Sequence, residues 1–394
     1  MERKHIPQNI LCISSVDWYP IPTRKQQVMS RLPESHNILY IEPPITLISP
    51  IKDRRLAFKL TEFLRGPKKI KENIRAYSPP PILPFGNMYR WINRINQWWL
   101  SLFIKKAMGK AQIEEGLIWT YMPNSYDLVK HLDYKGLVYD CVDEHSEYKG
   151  FIQKDTLLEM ERELIEACDA VFVTTDGLYE TKKIFNHATY CIPNGANFEL
   201  FNSVEREEIE IAQEIRHLAK PIVGFVGVIQ EWIDLELIYR MAKEYRSWTI
   251  VMVGPLGAGI DVENLKALPN VHFVGGKKPE ELPSYIKAFD VCMNPFRQSE
   301  LTKNVSPLKF YEYLATGKPI VTVDMPAVRQ FKDCVYISQD EDGFIENVKK
   351  AIEKSGESLK EKQIEKAKEC SWERKVKDIL AIIDERLGGK KHGK

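Results

Sequence analysis

The chain has 394 residues, 44% of them hydrophobic and 28% charged, with 23 Pro and 21 Gly spread along it. That composition excludes a disordered, collagen-like or repeat-fibrous protein and supplies apolar residues for two or three domain cores. The 56 Lys/Arg and 55 Asp/Glu nearly cancel, and no apolar run reaches the roughly 18 residues that a membrane span needs. Seven cysteines (Cys12, Cys141, Cys168, Cys191, Cys292, Cys334, Cys370) are dispersed with no C-x-x-C pair. They fit reduced thiols in a cytoplasmic protein better than a disulfide framework or a zinc site.

The first residues are charged and then briefly apolar, which reads as a buried first strand and not as a signal peptide. That first strand is expected at 9–14 and further buried strands at 36–41, 116–121, 136–139, 170–174 and 190–192, with a helix at 156–167. Alternating strands and helices imply a doubly wound α/β domain. A Pro-Asn-Gly turn at 193–195 and a polar helix at 205–219 follow. The alternation then restarts, with strands at 221–228, 249–253, 271–274, 291–295, 319–323 and 334–337. Helices are expected at 234–244, 279–288, 307–315, 342–353 and 371–387, the last returning across the first domain. The fold class is therefore α/β with two Rossmann-like domains, 1–195 and 196–370, facing each other across a cleft. Residues 371–387 form the returning helix and 388–394 a disordered tail. Ligands of such sheets bind beyond the carboxyl ends of the strands.

Charge is unevenly distributed. Residues 51–110 hold 14 Lys/Arg against 3 Asp/Glu. In the same window Trp91, Ile95, Trp98, Trp99 and Leu102 recur at helical spacing, flanked by Arg90, Arg94, Lys105 and Lys106. A basic, Trp-rich amphipathic helix suits the headgroup region of an anionic membrane, with Trp91, Arg94, Trp98, Trp99, Lys105 and Lys106 as the contacts. A core-packing helix with solvated charges is the other reading. No nucleic-acid motif accompanies the basic run, so no nucleic-acid partner is expected.

Common nucleotide and hydrolase signatures are missing: no G-x-G-x-x-G, no P-loop, no G-x-S-x-G and no H-E-x-x-H. The distinctive segment is 304–321, NVSPLKFYEYLATGKPIV. Ser306 and Pro307 are expected to open a helix, whose first N–H groups make an anion site. Lys309 in the first turn opposes the helix dipole unless an anion is present to pair with it. Glu312 follows on the same face, where it suits the hydroxyls of a ribose. A capped helix with a surface Lys–Glu pair is the plainer reading.

These segments resemble the donor domain of retaining glycosyltransferases of the glycosyltransferase-B fold (group 1, family 4-like). The resemblance rests on IPNGANFELF (192–201), GFVGVI (224–229), MVGPLGAG (252–259), 270–296 and SPLKFYEYLATGKPIV (306–321), in the family's order. Residues 14–32 and 138–151 resemble a subgroup similar to teichuronic-acid glycosyltransferases. The resemblance implies transfer of a sugar from a nucleoside diphosphate sugar to a saccharide or lipid-linked acceptor of a cell-surface polysaccharide. It further implies retention of anomeric configuration, no metal or other cofactor, and a place on the inner face of the cytoplasmic membrane. Implied donor contacts are Gly227, Trp232, Val274, Arg297, Asn304, Ser306, Pro307, Leu308, Lys309 and Glu312. On the catalytic side stand Asp17, Arg24, Tyr121, Asp140 and Lys309.

This sequence departs from the family at several points. Asn304 stands where the first of two glutamates is usual, and Tyr121 where some members have a histidine. The loop 230–234 lacks the usual basic pair, so Lys309, Arg297 or Lys303 would supply the charge, with Arg24 facing the diphosphate. Asp143 and His145 follow the same strand as Asp140; His145 reads most simply as a surface residue. A nucleotide-sugar 2-epimerase of the same fold, and a non-catalytic membrane-bound donor-sensing scaffold, stay open as alternatives.

Overall fold

The computed structural model describes residues 5–148, 150–354 and 357–389. Two compact units divide the chain. Unit 1 runs to Pro193 and resumes from Val376, and unit 2 is Asn194–Lys375.

Unit 1 is built on an eight-stranded sheet. Its strands are β1 (Asn9–Ile13), β2 (Asn37–Ile41), β3 (Lys68–Lys71), β4 (Ile74–Tyr77), β5 (Gly116–Thr120), β6 (Tyr134–Cys141), β7 (Ala170–Val173) and β8 (Thr189–Cys191). The spatial order is β3-β4-β2-β1-β5-β6-β7-β8. Every pairing is parallel except β3 with β4. The central strands are apolar on both faces, as parallel strands covered by helices must be. Ile10, Leu39, Trp119, Val138 and Phe172 are all fully buried.

Sequence periodicity does not reveal the β3–β4 hairpin. Its outer strand reads Lys-Lys-Ile-Lys with the three lysines exposed. An edge strand carries charges of this kind and lacks a buried face to announce it. The helix Trp372–Gly388 reaches into unit 1 through bonds from Arg386 Nε to the Asp169 carbonyl (3.2 Å) and from the His5 amide to Asp384 Oδ1 (3.0 Å). Of the tail expected at 388–394, residues 390–394 lie outside the described residues.

Unit 2 has a six-stranded, all-parallel sheet: β9 (Ile222–Val226), β10 (Thr249–Val253), β11 (Val271–Gly275), β12 (Val291–Asn294), β13 (Ile320–Val323) and β14 (Tyr336–Ser338). The order β11-β10-β9-β12-β13-β14 places the reversal of winding between β9 and β12. In unit 1 the corresponding switch lies between β1 and β5. Crevices at the carboxyl ends of such strands are where doubly wound sheets bind ligands.

The helix expected at 205–219 does not form. After a 3-10 turn at Ser203–Glu205 the chain is irregular up to β9. The segment is held by tertiary bonds instead. The Ala212 amide donates to the Ser284 carbonyl (3.1 Å), Lys277 pairs with Glu214 (2.7 Å), and Ile215 is buried. The helix expected at 279–288 is a 3-10 turn, Pro279–Glu281, continued by Leu282–Ile286.

Gly227 and Gly254 close the carboxyl ends of β9 and β10 with φ of +155° and +152°. A Cβ on Gly254 would sit 1.8 Å from the Gly227 carbonyl oxygen. Both the dihedral and the contact demand glycine. Gly254→Ala is therefore expected to cost upwards of about 2 kcal/mol, read as a lowered urea midpoint with an unchanged m-value.

Candidate active site

In unit 2 the site residues follow β9 and β12. The Arg297 amide donates to the Trp232 carbonyl (2.7 Å), and Ile233 bridges Phe296. This places the half-buried Trp232 beside the exposed Arg297. The Arg297 guanidinium points to its own neighbour Asp234, with Nε 3.9 Å from Oδ1. Val274 is not part of this group. It sits on the edge strand β11 and lines a separate pocket with His217 and His272. Asn304 is half-buried between the short helix Glu300–Lys303 and the next helix.

That next helix is Leu308–Thr316, ended by Gly317 at φ +67°. Pro307 occupies the cap position and no side chain caps the helix. Ser306, expected as the cap, is engaged elsewhere. Its Oγ accepts from the Asn194 amide (3.2 Å) and donates to the Tyr311 hydroxyl (3.2 Å), and its carbonyl accepts from Asn194 Nδ2 (2.7 Å). Asn194, the Asn of the Pro-Asn-Gly turn, thus fixes the approach to the helix. Deeper along the helix, the Tyr313 hydroxyl accepts from the Val226 amide (2.6 Å), which ties it to the end of β9.

Lys309 and Glu312 form a 2.5 Å ion pair. Glu312 is buried and Lys309 partly so, so the pair is not a surface one. Burial pushes the Glu312 carboxyl above the usual carboxylate range, and Lys309 draws it back down. Lys309 also lies 5.7 Å from the Phe201 ring centre. The helix start and Lys309 offer positive potential, and the Glu312 carboxylate offers a hydrogen-bond acceptor.

Unit 1 corrects two expectations. Arg24 does not face outward, and Asp140 does not face a substrate. They pair with each other, Arg24 Nε lying 3.0 Å from both carboxylate oxygens, with side chains 2% and 0% exposed. Arg24 Nη1 also donates to the Ile192 carbonyl (2.9 Å). The strand-end carboxylate is consumed by the arginine one strand away, a tertiary pairing that β6 alone does not announce. Asp17 is half-exposed and ion-paired with Lys59. Tyr121 is fully buried, and its burial raises the phenol's pKa. His145 is half-buried and bonded to the Asp143 carbonyl, so it is not the plain surface histidine expected. Lys25, passed over in the sequence, is buried against the Tyr121 ring. Its position next to Arg24 was the available signal.

A cavity of about 400 Å³ opens in unit 1 near the ends of β1 and β2. Its walls include Ile48, Lys52, Leu83, Asn96, Gln97 and Phe151. The helix Arg90–Ala111 supplies one wall through its inner face and leaves Trp91, Ile95, Trp98, Trp99 and Leu102 exposed on the other. Arg94, Lys105 and Lys106 are exposed with them. Arg90 is turned away and paired with Asp127 (3.1 Å) and Glu163 (2.6 Å). Among the described residues no three His, Cys, Asp or Glu side chains group to hold a metal ion, and no helix is long and apolar enough to cross a membrane.

Residues 220–354, which carry β9 to β14 and the Lys309–Glu312 pair, match the family described as Glycosyl transferases group 1. They form a glycosyl transferases group 1 domain. Over 290 residues the chain is 27% identical to TuaH of Bacillus subtilis (strain 168), named for teichuronic acid biosynthesis as a glycosyltransferase, covering 69% of this chain and 72% of that protein. The fold is similar to that of sucrose-phosphate synthase from Thermosynechococcus elongatus, with a TM-score of 0.70 at 15% identity over 97% of this chain and 100% of that one. It is also similar to Anabaena Alr3699/HepE in complex with UDP and glucose, with a TM-score of 0.66 at 12% identity over 96% and 99% of the two chains. The architecture is the glycosyltransferase-B fold. Around the group 1 domain these likenesses support a glycosyltransferase that draws on a nucleotide sugar.

The Arg24–Asp140 pair supplies a check on its structural role. Asp140→Asn leaves a buried guanidinium without its counter-charge and is expected to cost about 3–5 kcal/mol, seen in urea unfolding. An unchanged midpoint with lost activity would return Asp140 to the reacting centre.

Proposed function

We propose that the chain moves a sugar from a nucleoside diphosphate sugar, bound by unit 2, to a lipid-linked saccharide precursor of a cell-surface polysaccharide, received by unit 1 at an anionic membrane surface. The Lys309–Glu312 pair carries the reading. It sits in a group 1 domain, on a helix tied to the end of β9 beside the sheet's switch point. When a diphosphate enters, Lys309 exchanges part of its pairing with Glu312 for the phosphate, and Glu312 accepts a ribose hydroxyl. The leaving group's growing charge is then met by the ammonium and the first N–H groups of helix Leu308–Thr316. No metal is required in this scheme. Configuration is retained, with the acceptor attacking on the face the diphosphate leaves and the diphosphate taking the acceptor's proton. HepE is described in complex with UDP-glucose, so UDP-sugars are the first donors to try.

The acceptor side of the reading rests on charge and exposure. Lys52, Arg54, Arg55 and Arg65 are exposed together with Ile51, Phe58 and Leu64. Phe63 packs on Phe103 (5.4 Å between ring centres), joining this segment to the Trp-bearing helix. Cationic and aromatic side chains exposed on joined segments match an anionic headgroup layer. The 400 Å³ cavity, walled by residues of the same segment, would lodge part of the acceptor.

Lys309→Ala is expected to lower turnover of UDP-sugars more than tenfold (about 1.4 kcal/mol or more in the barrier) in protein that circular dichroism shows to be folded, and to lower the urea midpoint because buried Glu312 loses its partner. Full activity in the folded variant would remove the phosphate role. Co-sedimentation with phosphatidylglycerol-rich liposomes is expected at low salt, to weaken with rising salt, and to be lost in Trp98→Ser/Trp99→Ser/Leu102→Ser. Absence of binding at low salt would overturn the membrane placement.

A further inference from the structure

Unit 1 carries a second polar cluster at its own switch point, and nothing in the donor scheme uses it. Lys25 follows β1, Tyr121 follows β5, and Asp143, Glu144, His145 and Tyr148 follow β6, three neighbouring strands of the sheet. Lys25 is 6% exposed. Its ammonium lies 5.5 Å from the Tyr121 ring centre and, among the described residues, makes no hydrogen bond or ion pair. Asp143 accepts from the Tyr148 hydroxyl (2.8 Å), and the Tyr148 and His145 rings meet edge-on at 5.6 Å.

The tautomer of His145 follows from one contact. Its Nδ1 lies 3.0 Å from the Asp143 carbonyl oxygen. A carbonyl only accepts, so Nδ1 carries the proton, and the Nε2 of a neutral ring is left with a lone pair. Burial works against protonation of that ring, Lys25 adds to the effect, and Asp143 and Glu144 oppose it. The pKa falls below the ordinary histidine value, so the neutral form prevails at pH 7. Burial likewise lowers the Lys25 pKa, with Arg24 adding to it against Asp143 and Asp140.

The helix Arg24–Met29 after β1 and the turn His145–Glu147 after β6 thus hold an ammonium donor and an imidazole acceptor, neither bonded among the described residues through the atom in question. A bare donor alone would suit an anion. A donor beside an acceptor suits an alcohol, which gives one hydrogen bond and takes another.

We propose that His145 Nε2 and Lys25 form the seat of a hydroxyl of the acceptor sugar other than the attacking one, His145 accepting its hydrogen bond and Lys25 donating to its oxygen. This assignment rests on the glycosyltransferase reading. It makes the ligand of this site a saccharide terminus.

The test uses the full chain labelled with 15N-histidine, with octyl β-glucoside below its micelle concentration as the saccharide probe and inorganic phosphate as the control. The expected apo spectrum at pH 7 shows His145 as the neutral Nδ1–H tautomer. Glucoside is expected to shift Nε2 saturably, and Lys25→Met to weaken that binding roughly tenfold and raise the His145 pKa. Folding of the variant is confirmed by its circular dichroism. An Nε2–H tautomer, a spectrum unmoved by glucoside, or a response to phosphate alone would each overturn the proposal. UDP release from UDP-sugars judges the glycosyltransferase reading separately: a wild-type chain that consumes no donor yet shows the glucoside shift would keep the site and lose the reaction. A chain that transfers sugar while His145→Gln leaves the acceptor KM and the pH profile unmoved would keep the reaction and lose the site.

Discussion

A carboxylate taken out of water must recover its hydration energy from its neighbours, and Glu312 recovers it from one ammonium. Its side chain is 4% exposed and 2.5 Å from Lys309. The desolvation of a buried ion is worth several kcal/mol, so a single partner leaves such a group poorly balanced. A helix whose dipole favours anions near its start has here a cation in its first turn and an acid one turn on. In the proposed reaction both charges become better satisfied as a diphosphate and a hydroxylated ring join them. The surrounding structure serves that arrangement: Tyr313 fastens the helix to β9, Asn194 fixes the chain leading into it, and the Gly227–Gly254 approach closes the sheet next to it.

The double α/β architecture is legible in the sequence because parallel strands covered on both faces read as unbroken apolar runs. The runs around Ile10, Leu39, Ile118, Val171, Ile250 and Val321 are strands in the structure. Where burial is one-sided or absent the signal fails. The β3–β4 hairpin hides behind lysines, and the segment after Ser203 has helical composition while its amides and side chains are held by Ser284 and Lys277. Local chemistry is legible to the same extent. The helix with Lys309 and Glu312 follows from its own residues, whereas the fate of Asp140 depends on an arginine 116 positions away. Lys25 is illegible for the same reason: Arg24 beside it in the sequence reads as the functional cation, and only the packing shows which of the two is already neutralised.

The two switch points differ in their chemistry. Unit 2 gathers phosphate-seeking groups, main-chain N–H and an ammonium, around one acid. Unit 1 locks its strongest opposite charges, Arg24 and Asp140, in a dry pair and leaves weaker, neutral or desolvated groups at the strand ends. The first is suited to a highly charged ligand and the second to an uncharged, hydroxylated one. In the proposed reaction the electrostatic work falls on one sheet and the recognition of the sugar alcohol on the other.

The outer strand β3 has a consequence of its own. An open sheet edge invites the edge of a second molecule, and the invitation strengthens when proteins are concentrated on a surface. Here Lys68, Lys69 and Lys71 line that border. Lys68 and Lys69 pair with Glu62 and Glu72, so two such borders brought together would oppose charged, hydrated side chains that must lose water before the strands can pair. Copies brought close together would therefore meet a desolvation cost at this edge, which hinders neighbouring chains from knitting their sheets into one.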